Sequence, residues 1–167
     1  MWGSTTPNTN TTCNWANAPF NNGASSYNYE YFKSVKDTVC PNGVLAKEYD
    51  AATQIMGGDW RMPTEAEFRE LIANTINYEW VEDFKGTGVS GRKFTSKTDT
   101  SKYIFFPTAG ICYDGSVNGV GRSGIVWSSS LDTFDYSMAQ SLKLERGNSD
   151  TNNYHRYYGQ SVRGVRA

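Results

Sequence analysis

The chain has 167 residues, the size of one compact domain with a single sizeable core, so folding needs neither a disulfide nor a metal. Apolar residues make up 38% and charged residues 20%, and 11 Tyr, 8 Phe and 5 Trp are far too many aromatics for a disordered chain. A formal net charge of −1 without a basic stripe argues against a nucleic-acid partner, and no apolar run approaches the roughly 20 residues that span a bilayer.

Residues 1–45 are rich in Asn, Thr, Ser and Gly, with Trp2, Trp15, Phe20, Tyr27, Tyr29, Tyr31 and Phe32 scattered among them. Flexible linkers lack aromatics, so this stretch reads as an ordered, loop-rich opening segment packed on the domain. Its first residues, MWGSTTPNTN, carry neither the basic n-region nor the apolar h-region of a signal peptide. Tyr27, Tyr29 and Tyr31 alternate, and that period of two predicts a short strand.

Two helices follow. Asp50 opens DAATQIM as an N-cap and Gly57-Gly58 closes it. In PTEAEFRELIAN, Thr64 and Glu67 fit a capping box, and Phe68, Leu71 and Ile72 form one apolar stripe toward a core. Beyond Asn74 the pattern turns to strands. YEWVEDF suits a short edge strand or loop, and KYIFFPTAGICY reads as one buried strand ending at the Asp114-Gly115 turn. SGIVWSSS and SMAQSLKLERG read as two more strands. In the latter, Met138, Gln140, Leu142 and Leu144 share one face and Ala139, Ser141, Lys143 and Glu145 the other. SVRGVRA, with Val162, Val165 and Arg166, closes the chain as a final strand. Two short helices, then several strands, predict an α+β fold in one domain over residues 1–167.

Catalytic chemistry finds little support. Cys13, Cys40 and Cys112 form no CxxC pair, and an odd count at long spacing argues against a disulfide framework or a zinc site. Buried thiols are expected, with one bridge, such as Cys13 to Cys40, left open. His155 is the sole imidazole, so no multi-histidine metal site can be built, and no GxSxG, GxxxxGK[ST] or HExxH motif occurs. No cofactor is expected, although a structural Ca²⁺ on scattered Asp and backbone oxygens stays open.

Four segments carry a family resemblance, one of them less specifically. GGDWRMPTEAEFRELI resembles the WR-[LM]-PT-EAE-[FW] signature of the formylglycine-generating-enzyme-type C-type lectin fold, and more closely that of domains named after the Fibrobacter succinogenes major paralogous family. FFPTAGICYDGSVNGVGRSGIVWSSS and GQSVRGVRA are similar to that family's later segments, and MWGSTTPNTNTTCNWAN less specifically to its opening one. The resemblance implies a C-type lectin fold, with a small twisted antiparallel sheet and long ordered loops.

Residues 127–163 carry a narrower resemblance, to variable proteins of diversity-generating retroelements, in which adenine-directed mutagenesis rewrites Asn codons. Trp127, Ser128, Ser129, Ser130, Leu131, Leu142, Gly147, Arg156, Gly159, Gln160, Ser161, Val162 and Arg163 match that framework. Between them, Asp132, Phe134, Asp135, Tyr136, Ser137, Asp150, Asn152, Asn153, Tyr154, His155 and Tyr157 are each encodable from an altered Asn codon, whereas Gln140, Lys143 and Glu145 are not. Those eleven are the candidate ligand-binding residues. A surface meant for many ligands favours rigid amphipathic Tyr beside small adaptable Ser, Asn and Asp. Arg156 and Arg163 are expected to anchor the framework by hydrogen bonds to backbone or carboxylates, and Trp60 and Trp127 to lie in the core.

The resemblance therefore implies a non-enzymatic binding domain on a virion or bacterial surface, whose partner is a cell-surface protein or glycan. Two other readings stand beside it. The formylglycine-generating type of oxidase would need a C-terminal cysteine pair holding copper, and only Cys112 lies in that half. Calcium-dependent sugar binding would need Glu-Pro-Asn, Gln-Pro-Asp or Trp-Asn-Asp, none of which occurs.

Overall fold

Capping side chains start every α-helix in the computed structural model, which describes residues 1–166. Helix α1, Tyr29–Val39, begins where the alternating tyrosines predict a strand. The Asn28 side chain accepts the Tyr31 amide, and Phe32, Val35 and Val39 then fall at helical spacing on the core side. That longer apolar period overrides the period of two, so there are three α-helices among the described residues, not two. Helix α2, Ala51–Met56, runs from the Asp50 cap to Gly57 as expected. Helix α3, Glu65–Ala73, carries the full Thr64–Glu67 capping box and buries Phe68.

The strands form small antiparallel sheets. Strand β1, Trp60–Arg61, pairs with β10, Val165–Arg166, near the end of the chain. Strands β2 (Thr75–Val81), β3 (Gly91–Ser96) and β4 (Tyr103–Pro107) make a three-stranded sheet in that order, with β2 at its edge. Strands β5 (Ile111–Tyr113) and β6 (Ser116–Asn118) form a hairpin. Asp114 and Gly115 both have positive φ there, 47° and 77°, as a two-residue turn between right-twisted strands requires. Strands β7 (Ser123–Leu131), β8 (Met138–Glu145) and β9 (Ser149–His155) form the last sheet, with β9 at its edge.

Two sequence expectations change here. KYIFFPTAGICY is not one strand but β4 and β5, in different sheets. Gly110 makes the break with φ 76°, and a Cβ there would stand 2.3 Å from the Asn118 carbonyl oxygen. In SVRGVRA only Val165 and Arg166 pair as a strand, and Val162 is exposed outside it.

Strand β8 separates two apolar cores. Ala139 belongs to one with Trp2, Phe32, Met62, Trp127 and Leu131, whereas Leu142 and Leu144 belong to another with Phe68, Phe94, Phe106 and Val126. The two faces read from its alternation are thus both used, by different cores. Trp127 is fully buried, while Trp60 is half-buried.

The serines after Trp127 explain why the separate sequence motifs belong together. Strand β7 shifts register between Trp127 and Leu131. At this irregularity Ser129 N donates to the Pro63 carbonyl (2.8 Å), and Ser130 Oγ accepts the Glu65 amide (3.0 Å) at the start of α3. Ser161 closes the other side, accepting from Trp127 N (2.9 Å) and donating to the Ile125 carbonyl (3.2 Å).

Candidate ligand-binding face

The loop from Asp132 to Ser137 joins β7 to β8, and Asp132 locks it. Its Oδ1 accepts the amides of Phe134 (2.8 Å) and Asp135 (2.9 Å), and its Oδ2 accepts Gln140 Nε2 (2.8 Å) and Asn153 Nδ2 (2.9 Å). Burial pushes this carboxyl up, but the amides of Asp135, Asn153 and Phe134 outweigh it and hold the carboxyl below its ordinary range. Asp135 caps the next turn by accepting the Ser137 amide (2.8 Å). On this braced loop Phe134 stands 99% exposed.

Arg156 lies beneath, with none of its surface exposed and no carboxylate in an ion pair with it among the described residues. Its guanidinium carbon sits 3.8 Å from the Phe32 ring centre, 5.5 Å from Tyr27, 5.9 Å from Trp15 and 6.0 Å from Trp2. Nε donates to the Tyr136 carbonyl (2.8 Å) and Nη1 to that of Pro19 (3.4 Å). Burial lowers its pKa to about 10, which still leaves it charged at neutral pH. The expected anchoring role thus takes the form of backbone bonds inside an aromatic cage.

An aromatic cluster continues from that cage. Trp15 contacts Tyr27 (5.2 Å between ring centres), Tyr157 (5.0 Å) and His155 (5.9 Å); Tyr158 meets Tyr157 (4.6 Å), Tyr113 (5.1 Å), His155 (5.7 Å) and Tyr154 (6.3 Å). Burial, then the neighbouring Tyr158 hydroxyl, pushes the Tyr157 phenol up, and burial does the same to Tyr154. Both remain neutral phenols at physiological pH.

The eleven candidate residues divide by position. Asp132 and Ser137 are buried, so they brace the loop instead of presenting themselves to a ligand. Phe134, Asp135, Asn152, Asn153 and Asp150 are exposed. Tyr136, Tyr154, His155 and Tyr157 are half-buried, and Tyr136 and Tyr154 pack against the core that holds Trp127. The structure brings the 132–137 loop next to Asn153 and His155, where Ser137 Oγ lies 3.4 Å from His155 Nδ1. Asp150 sits opposite Lys143, five strand residues from His155 and roughly 16 Å away at the usual strand rise, so it stands apart from the loop. Trp15, Tyr27, Tyr113 and Tyr158 join the cluster without having been singled out for it, because contacts between rings from distant segments leave no spacing in a sequence.

All three cysteines are buried and none is in a disulfide. Among the described residues, no three of His, Cys, Asp and Glu gather as they would around a metal ion. A scan against protein-family models found no match, and searches of curated proteins and of solved structures returned none either.

Proposed function

We propose that this chain is a non-enzymatic binding domain with a C-type lectin fold, in which the end bearing Phe134 and β9 contacts a protein or glycan on a cell surface. The observation that carries the reading is Phe134, a fully exposed ring on a loop held by four hydrogen bonds to Asp132. A braced loop has little backbone freedom left to lose on association, and aromatic side chains dominate binding energy when a partner buries them. Asn153 and His155 flank the loop, and with Tyr157 stacked on His155 and the exposed Asn152 of β9 they provide the mixed aromatic and amide chemistry of adaptable binding surfaces. The fold proposal draws support from the segments of the family resemblance, which meet at Pro63, Glu65, Ser129, Ser130 and Ser161. Surface display on a virion or bacterium is part of the same proposal.

Fluorescently labelled protein tested against panels of bacterial cells and immobilised glycans should bind at least one member. The double variant Phe134→Ala/Asn152→Ala should lose about thirtyfold or more in affinity for that member, as expected from a hot-spot residue. Both side chains are exposed, so its melting temperature should stay within about 2 °C of the parent. Unchanged binding by the folded double variant would exclude this face.

A further inference from the structure

Cys13 and Cys112 are distant in sequence and adjacent in space. Cys112 on β5 exchanges both backbone hydrogen bonds with Gly159, at 2.7 and 2.8 Å. A Cβ placed on Gly159 would lie 2.6 Å from Cys13 Sγ and 3.0 Å from Cys112 Cβ, so both cysteine side chains converge where residue 159 has none. The two thiols are in hydrogen-bonding contact, and Cys13 Sγ also lies 3.4 Å from the Thr9 carbonyl oxygen. Both line one surface cavity of about 350 Å³, with the exposed Ile55, Val117 and Val162 among its walls. Cys112 is 9% exposed and Cys13 only 1%, so a small reagent in that cavity reaches Cys112 first. Cys40 is placed differently, among the residues of the core around Trp127, with its Sγ 3.3 Å from the Lys36 carbonyl oxygen.

We propose that Cys13 and Cys112 are a redox pair, joined into a reversible disulfide by a small-molecule disulfide and released by a dithiol. The Cys112 thiolate attacks one sulfur of the reagent disulfide and forms a mixed disulfide, expelling the other half, which takes up a proton as a thiol. The Cys13 thiolate then attacks Cys112 Sγ and releases the second half as a thiol. Two protein thiols are oxidised and one reagent disulfide is reduced to two thiols. Burial, then the neighbouring thiol, pushes Cys13 up to about 11, so its thiolate is scarce at neutral pH and the second step quickens as pH rises. The bridge would tie the opening segment to Gly159, directly beside Tyr157 and Tyr158. Trp15, two residues from Cys13, would be held against Tyr157 and His155. None of this depends on what the exposed face binds.

Folded protein is incubated with oxidised glutathione at about pH 8.5, near the ordinary thiol pKa, then acid-quenched for intact mass and peptide mapping. The expected product has lost two hydrogens, yields a cross-linked peptide containing Cys13 and Cys112, and keeps Cys40 as a thiol. Closing a loop of about 100 residues should raise the melting temperature by about 10 °C, and dithiothreitol should reverse both changes. Cys13→Ser should stop at a glutathione adduct on Cys112. Three unreacted thiols in the parent protein, a persistent glutathione adduct on its Cys112, or a bridge through Cys40 would each overturn the proposal, and the parent map decides even if a variant misfolds.

Discussion

A buried arginine with no ion-paired carboxylate among the described residues is the one on which the candidate face rests. Removing a cation from water is costly, and Arg156 offsets that cost with four aromatic rings and two backbone carbonyls instead of a counter-ion. Arg156→Ala leaves both carbonyls without their donor and opens a cavity among the rings, and should cost about 3 kcal/mol in urea unfolding. Arg156→Met keeps most of the volume but not the donors, and should cost about half as much. Equal losses in the two variants would mean that packing contributes little. An anchoring Arg156 could be foreseen from the framework pattern, but its cage could not. Residues 2, 15, 27 and 32 are gathered by chain reversals that carry no local spacing. The exposure of Phe134 and the burial of Asp132 and Ser137, neighbours in sequence, were equally hidden. Hydrogen bonds to a loop's own amides turn one side chain inward and leave the next outside.

Individual elements differ in how plainly the sequence announces them. Helices α2 and α3 are legible because caps and apolar stripes are local signals. Strands β3, GRKFTS, and β9, SDTNNYH, are not, because polar strands draw their pairing from a neighbour and not from their own apolar period. The start of α3 also makes a pH prediction. Arg61 donates to both carboxylate oxygens of Glu67 (2.6 and 2.7 Å), and the Thr64 amide adds a third bond (2.8 Å). Arg61 above all, helped by Thr64, draws the Glu67 carboxyl from its ordinary 4.5 down to about 2. A folded-state pKa below the unfolded one adds stability that is complete above about pH 4.5 and disappears as pH falls through about 2. Both side chains are about a third exposed, so solvent screening reduces the gain to about 1 kcal/mol. Glu67→Gln should lower stability by that amount at neutral pH and converge with the parent near pH 2. Parallel stability curves across that range would refute the linkage.

For the molecule as a whole, the consequential element is β8, the partition between two cores. A strand with apolar contacts on both sides couples them, because neither core can open without releasing part of the other. Phe68→Ala empties space in one core only and should cost about 3–5 kcal/mol. Tryptophan fluorescence, to which Trp2 and Trp127 of the other core contribute, should nevertheless shift in step with the far-ultraviolet dichroism. Two separate transitions would show independent cores. The α+β class was legible at this scale from the order of helices and strands. The division into small sheets was not, since it turns on the break at Gly110.

The bonds beneath the exposed loop have one further consequence. Arg156 holds residue 136 by its carbonyl oxygen, the Arg156 amide donates to the carbonyl of residue 137, and Asp132 grips residues 134 and 135 by their amides. These are atoms that every amino acid except proline possesses. A replacement at 134 changes what is shown outward and leaves its own attachment intact, so at that position the side chain facing solvent and the backbone that holds it are separate parts of the same residue.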